Sequence, residues 1–101
     1  MIDFGTLANA MDFARNHAEE GLRKYPFDAV YKATLAQIDA ISASLATNGL
    51  LSAHIAGGIT LGLMAAKELG NDERDFAHAL HVIQRYADDA KSKDGAKSED
   101  G

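Results

Sequence analysis

The stretch HIAGGITLGLMAAKELG, residues 54–70, decides whether this chain is a helical protein or carries a ligand-binding loop. Its apolar residues recur with helical period, yet Gly57, Gly58 and Gly62 interrupt it, and a glycine inside a helix costs about 0.5–1 kcal/mol relative to alanine. Close approach of a second helix would offset that cost. A phosphate-binding loop is the weaker interpretation, because P-loop spacing and a preceding strand are both missing. We therefore predict that the glycines serve helix packing.

Outward from this stretch, the rest of the chain shows the same helical period. Four apolar stripes predict an all-α fold, a compact four-helix bundle-like single domain without a sheet. The predicted helices cover residues 4–24, 27–47, 52–69 and 73–90. Residues 91–101 consist mainly of Lys, Ser, Asp and Gly without apolar period, and we predict a disordered tail there. The helical domain is thus assigned to residues 1–90.

Local signals define the helix ends. Four starts are predicted, with N-caps at Asp3 and Ser52, Pro26 in the first helical position, and Asp72 paired with Asp75 as an acidic capping box. The predicted stops are Tyr25 before proline, a left-handed cap at Gly49, and Gly70. The stripes predicted to face the core are Phe4, Leu7, Ala8, Met11, Ala14, Ala18 and Leu22; Phe27, Val30, Tyr31, Thr34, Ile38, Ile41 and Leu45; Ile55, Ile59, Leu63 and Ala66; and Phe76, Ala79, Leu80, Ile83 and Ala87.

Composition narrows the classes of function. The chain has 101 residues and no cysteine, which excludes disulfides and thiolate metal sites. Ten Lys and Arg against fifteen Asp and Glu give a net charge of −5, which disfavours nucleic acid and favours a basic partner. The start lacks a signal peptide pattern, and no apolar run approaches the ~20 residues that a bilayer requires. We expect a soluble cytoplasmic protein that does not bind membranes.

Residues suited to catalysis or metal binding are few. His78 and His81 share one face of the fourth helix but lack a third ligand, so a solvated or partner-facing pair is favoured over a metal site. The acidic pairs at residues 19–20 and 88–89 are sequence neighbours, and their side chains diverge on a helix. No Ser, His and Asp constellation can be assembled. We expect a protein without enzymatic activity, metal or cofactor.

Two surface features indicate a protein partner. Opposite the core stripe of the second helix lies a run of small residues: Ala29, Ala33, Ala36, Ala40 and Ala43. It is consistent with helix propensity alone, with a second packed neighbour, or with a smooth docking face. Acidic residues gather where the third helix gives way to the fourth, at Glu68, Asp72, Glu73 and Asp75. The helix dipole favours acidic residues at a helix start and explains part of this concentration. The four residues together form the densest acidic patch of the chain.

Four short sequence motifs suggest a family. RKYP at 23–26, QIDAI at 37–41, ITLGLMAAKE at 59–68 and FAHAL at 76–80 occur in this order and at these separations. Together they resemble small all-helical immunity proteins of type VI secretion toxin systems, closest to those that neutralise an NAD(P)-hydrolysing effector toxin. The resemblance covers roughly residues 22–85. It implies an inhibitor that binds the toxin's catalytic domain, covers the NAD(P) site and does no chemistry itself.

The resemblance leaves alternatives open. Related immunity proteins oppose toxins with other nucleotide chemistry, including synthesis of alarmone-like nucleotides. The rival class is a non-enzymatic, self-associating regulatory or structural module, a weak homo-oligomer formed through the alanine face. A DNA-binding bundle is disfavoured because no helix carries a basic stripe. For the toxin-binding surface we predict the acidic turn with two tyrosines: Glu68, Asp72, Glu73, Asp75, Tyr25 and Tyr31.

Overall fold

The computed structural model describes the backbone of residues 5–100 and the side chains of residues 5–70 and 72–90. Its elements, in chain order, are α1 (Leu7–Lys24), α2 (Ala29–Asn48), α3 (Ala53–Gly57), α4 (Leu61–Glu68), a 3-10 turn (Asn71–Glu73) and α5 (Arg74–Asp100). No strand occurs in the described residues. The predicted all-α, bundle-like architecture is confirmed. No helix in the described part of the chain combines the length and apolarity needed to cross a membrane.

Helix α5 lies at the centre of the packing. It contacts α1, α3 and α4, while α2 packs mainly on α1. The stripe predicted for the last helix is buried throughout, at Phe76, Ala79, Leu80, Ile83 and Ala87. The other large side chains that are fully buried are Thr34, Ile38 and Ile41 of α2 and Leu61 of α4. Burial of apolar surface against one central helix therefore organises the fold.

Helix α1 begins later than predicted and ends where predicted. Its N-cap is Thr6, whose Oγ1 accepts a hydrogen bond from the Asn9 backbone N–H at 3.1 Å. The predicted cap Asp3 and the predicted core residue Phe4 lie outside the described residues. The helix stops at Lys24, as the Tyr25-Pro26 sequence predicts, because the residue before proline is forced out of the helical region.

The predicted start of α2 is wrong. Asp28 is its N-cap, and one carboxylate oxygen accepts the backbone N–H of Val30 at 2.9 Å and of Tyr31 at 3.1 Å. Pro26 therefore lies in the preceding turn and not in the first helical turn, and Phe27 is 89% exposed instead of buried. An aspartate that satisfies two otherwise free N–H groups outweighs a proline start. The predicted cap at Gly49 is confirmed by its φ of 74°.

The predicted third helix is interrupted at residues 58–60, which separate α3 from α4. Ser52 caps α3 as predicted, accepting the Ile55 N–H at 3.3 Å. The interruption changes the helical phase, so Leu61, Gly62 and Ala65 are buried in α4. The predicted core residues of this segment beyond the break are wrong: Leu63 is 56% exposed and Ala66 is exposed.

Two glutamines from other helices hold the break. The Thr60 N–H donates to Gln37 Oε1 of α2 at 2.8 Å, and Gln37 Nε2 donates to Thr60 Oγ1 at 3.0 Å. The Gly62 N–H donates to Gln84 Oε1 of α5 at 3.0 Å. These side chains take up N–H groups that a new helix start leaves without an intrahelical acceptor. The break is thus stabilised from outside the segment.

The packing role predicted for the glycines holds at one position and fails at two. A Cβ atom at Gly62 would lie 2.8 Å from Gln84 Cγ, so the absence of a side chain there admits the glutamine. At Gly57 an added Cβ would meet nothing within 4 Å, and at Gly58 only the Ile55 carbonyl at 3.6 Å. These two glycines end α3 and lead into the break, and do not pack against another helix.

Helix α5 differs from its prediction at both ends. It begins at Arg74 after the 3-10 turn, and Asp72 lies within that turn instead of at the predicted N-cap position. The helical backbone continues past residue 90 as far as Asp100. Because the side chains of residues 91–100 and all of residue 101 lie outside the described part of the structure, disorder of this tail stays a prediction.

Candidate functional site

The acidic corner between α4 and α5 presents most of its carboxylates to solvent. Glu68, at the end of α4, and Asp72 and Asp75, on either side of the start of α5, are all exposed. Each lies within two turns of a helix end, where the backbone reverses direction. We call these three exposed residues the acidic corner.

Glu73 belongs to the same stretch but points inward. Its Oε1 accepts a hydrogen bond from the Tyr31 hydroxyl at 2.7 Å, and its Oε2 lies 3.1 Å from His17 Nε2. Only 23% of its side chain is accessible. One carboxylate therefore joins α1, α2 and the 3-10 turn, and we refer to Glu73, Tyr31 and His17 as the Glu73 clamp.

Aromatic rings surround the clamp on its inner side. The His17 ring stacks on Phe76 with centroids 4.4 Å apart and meets the edge of Tyr31 at 5.8 Å. Phe13 also stacks against His17, with centroids 6.2 Å apart, and the centroid of Tyr31 lies 5.7 Å from that of Phe76. Such pairs contribute about 0.5–1.5 kcal/mol beyond area burial. The clamp is therefore anchored in the core at Phe76.

The protonation of Tyr31 follows from this environment. Burial raises the pKa of Tyr31 well above its usual range, and the hydrogen bond to Glu73 and the nearby charges of Glu73 and Asp28 raise it further. Tyr25 adds to the same effect. Tyr31 thus remains protonated and donates to Glu73 throughout the physiological pH range. The same hydrogen bond places the start of α2 at the same end of the bundle as the 3-10 turn.

The six residues predicted to bind a toxin fall into two groups. Glu68, Asp72 and Asp75 are exposed, and Tyr25 is 62% exposed. Tyr31, in contrast, is 7% exposed, and both oxygens of Glu73 face partners within the protein. The structure brings Tyr25, Tyr31 and Glu73 to one end of the bundle. Tyr31 and Glu73 are hydrogen-bonded to each other and serve to hold the fold together.

Sequence reasoning missed His17 and Phe27. His17 lies between Ala14 and Ala18 of the predicted stripe, and a ring there, four residues after Phe13, is a signal that it borders the core. Phe27 was assigned to the core because it extends the stripe of α2 backwards by one turn. The better cap at Asp28 was the signal that should have placed Phe27 before the helix.

Other features contribute no further chemistry to this surface. His78 and His81 border an open groove of about 320 Å³ with Leu69, Gly70, Arg74 and Ala77. Among the side chains of residues 5–70 and 72–90, no group of three or more His, Asp or Glu could hold a metal ion. On the alanine face of α2, Ala29, Ala36 and Ala43 are exposed.

Comparison with known proteins gives one match. The model of the Tsi6 family matches residues 6–89, which is most of the chain and includes α1 to α4 and the described side chains of α5 almost to their end. No curated protein and no solved structure matches the chain significantly.

Proposed function

We propose, from the premise that this chain belongs to the Tsi6 family of type VI secretion immunity proteins, that it binds and inhibits the catalytic domain of one cognate effector toxin. The family match over residues 6–89 is the observation that carries this proposal. An immunity protein implies an effector protein as partner, and the family is generally non-enzymatic. Inhibition then comes from binding alone, in the cytoplasm and without a cofactor.

The toxin that we propose is an NAD(P) glycohydrolase whose active site is occluded. An enzyme that binds a dinucleotide attracts two phosphates, so its entrance favours positive potential or helix N-termini. An inhibitor that presents acid to such an entrance gains association rate and specificity. The net charge of −5 and the exposed acidic corner support this orientation.

The six predicted residues take two parts in this proposal. Glu68, Asp72, Asp75 and Tyr25 are exposed and contact the toxin directly. Tyr31 is too deeply buried for extensive contact, and with Glu73 it positions the acidic corner against α1 and α2. The clamp thereby reduces the conformational entropy that the corner loses when it binds.

Coexpression tests the inhibitory function. An effector domain encoded beside this chain, when expressed, should deplete cellular NAD and arrest growth, and coexpression of this protein should restore both NAD level and survival. A pull-down with purified domains should recover a stable complex. If the protein neither binds the effector domain nor protects cells from it, the proposed function is wrong. Protection without preserved NAD would keep the immunity function and exclude the glycohydrolase.

Charge reversal tests the proposed orientation. Glu68→Lys combined with Asp72→Lys should lower affinity for the effector tenfold or more, about 1.4 kcal/mol, without changing the melting temperature. The matched control is Asp12→Lys with Glu20→Lys, the same charge change at exposed positions of α1. Equal losses in both pairs would indicate only a net-charge effect. Unchanged affinity in the first pair would remove the acidic corner from the interface and leave the alanine face as the next surface to test.

A further inference from the structure

The turn between α1 and α2 presents two large aromatic side chains to solvent. Phe27 is 89% exposed and Tyr25 is 62% exposed, with Pro26 between them. Single exposed apolar residues are common on protein surfaces. Two aromatics and a proline within three residues are a contiguous apolar patch, and aromatic side chains are the residues most often found at the centres of protein interfaces.

Hydrogen bonds hold this turn on both sides. The Tyr25 N–H donates to the Gly21 carbonyl at 2.7 Å, and the Asp28 N–H donates to the Tyr25 carbonyl at 3.0 Å. Pro26 fixes one further backbone angle, and Asp28 caps α2 through two N–H groups. Phe27 is thus held at the tip of a closed turn of four residues. A turn ordered before binding loses little backbone entropy when a partner covers it.

Charges around the patch indicate what kind of surface it fits. Tyr25, Pro26 and Phe27 border an open groove of about 390 Å³ whose edges are Lys24 and Asp28. The Lys32 ammonium lies 5.5 Å from the centroid of the Phe27 ring, over its face. The Asp28 carboxylate at this border is engaged as the cap of α2. The two lysines are the charges left to face a partner, and with the apolar centre they complement an apolar pocket with carboxylates at its rim.

We propose that Phe27 is an apolar anchor that this turn inserts into a pocket of the effector, a pocket bordered by carboxylates that face Lys24 and Lys32. This inference rests on the proposed function. The turn overlaps the surface proposed above, because the exposed Tyr25 belongs to both. The effector surface then meets acid at that corner and an aromatic side chain at the turn.

The test compares two exposed apolar residues. Phe27→Ala should weaken binding to the purified effector domain tenfold or more, mainly through faster dissociation, with an unchanged melting temperature because the ring is outside the core. Phe27→Leu should recover part of the loss. The control is Leu50→Ala, a 63% exposed apolar residue in the loop after α2, which should leave affinity unchanged.

Each result distinguishes this inference from the function on which it rests. If wild-type protein does not bind the effector domain, the proposed function fails. If wild type binds and Phe27→Ala binds equally well, the anchor is wrong while the function stands. Analytical ultracentrifugation of the isolated protein tests whether the turn instead binds a second copy of this chain. If wild type self-associates and Phe27→Ala abolishes that association without affecting effector binding, the proposal is overturned.

Discussion

The two interruptions at residues 25–28 and 58–60 end a helix in opposite ways. At the first, the hydrogen bonds come from the neighbouring sequence: Pro26 ends α1, and Asp28 caps α2 two and three residues ahead. At the second, the Gly58 and Ile59 N–H groups bond to carbonyls of α3, but the N–H groups at the start of α4 donate to the remote side chains of Gln37 and Gln84. The first can be read from a window of a few residues. The second exists only when three helices have already packed.

This difference determines how each junction should respond to substitution. A local junction depends on its own backbone and cap, so its contribution to stability is bounded by the strength of one cap. A junction held by remote side chains depends on the packing that brings them there, and steric change propagates into the interhelical contact. We therefore expect damage at residues 58–62 to exceed damage at residues 25–28.

The largest effect is expected for Gly62→Leu. A side chain at this position would collide with Gln84, because even a Cβ lies 2.8 Å from its Cγ, and would displace the amide that accepts the Gly62 N–H. Overpacking of this kind destabilises by about 1–3 kcal/mol. In a domain of this size that corresponds to a fall in melting temperature of roughly 4–8 °C per kcal/mol. Thermal unfolding followed by circular dichroism measures it.

Gly57→Ala is the matched control for that prediction. An added Cβ there meets nothing within 4 Å, and alanine is a better helix former than glycine. The melting temperature should stay the same or rise. Equal destabilisation by both substitutions would contradict the view that only Gly62 serves close packing, and would attribute the effect to loss of glycine flexibility.

A smaller effect is expected for Asp28→Ala at the local junction. The substitution removes the acceptor for the Val30 and Tyr31 N–H groups, and loss of such a cap costs about 1 kcal/mol, up to about 2. Urea unfolding should show a lower midpoint with an unchanged slope. If Asp28→Ala destabilised the protein more than Gly62→Leu, the proposed ranking of local and remote junctions would be reversed.

The smallest effect is expected in how stability depends on pH. It concerns a third junction, the 3-10 turn before α5, where Glu73 bonds to His17 of α1 and Tyr31 of α2. Because the folded pKa of Tyr31 is raised above its unfolded value near 10, the stabilisation linked to its proton is complete below about pH 10 and decreases as pH rises further. Tyr31→Phe should therefore lose less stability than wild type when the pH is raised from 9 to 11.

Tyr86→Phe is the control, since Tyr86 is 43% exposed and is not among the groups that raise the pKa of Tyr31. Its stability should decrease with rising pH as in wild type. The comparison uses urea unfolding of the three proteins at each pH. An identical decrease in Tyr31→Phe and wild type would mean that Tyr31 ionises no differently in the folded chain, and the clamp would then lack the predicted linkage.

The parts of the fold that sequence analysis predicted correctly share the local character of the first junction. Tyr25 before proline, Gly49 and Ser52 act within one turn, and each was placed correctly. The stripe of α5 was also correct, because a central helix buries a simple periodic face. The phase of α4 was wrong for two reasons. Gly57 and Gly58, which end α3, were assigned to helix packing, and the side chains of Gln37 and Gln84 that stabilise the new helix start are remote in sequence.

The location of the candidate surface could be predicted from the clustering of charge, but the orientation of its side chains could be predicted only in part. Clustering of four acidic residues located this region, and three of them, the acidic corner, are exposed. Sequence alone could not distinguish Glu73 from Glu68, since the inward orientation of Glu73 depends on a histidine and a tyrosine from two other helices. Phe27 was misplaced for the complementary reason, because its apolar character was taken as evidence of burial.

The inward orientation of Glu73 has an evolutionary consequence. One glutamate serves the architecture while the carboxylates beside it remain outside the hydrogen-bond network of the clamp. On the proposed interface, adaptation to a changed toxin proceeds through Glu68, Asp72 and Asp75 by single substitutions that leave the clamp intact. Substitutions that change which toxin is bound then need not affect folding. Related proteins that bind different toxins should therefore retain Glu73, Tyr31 and His17 together.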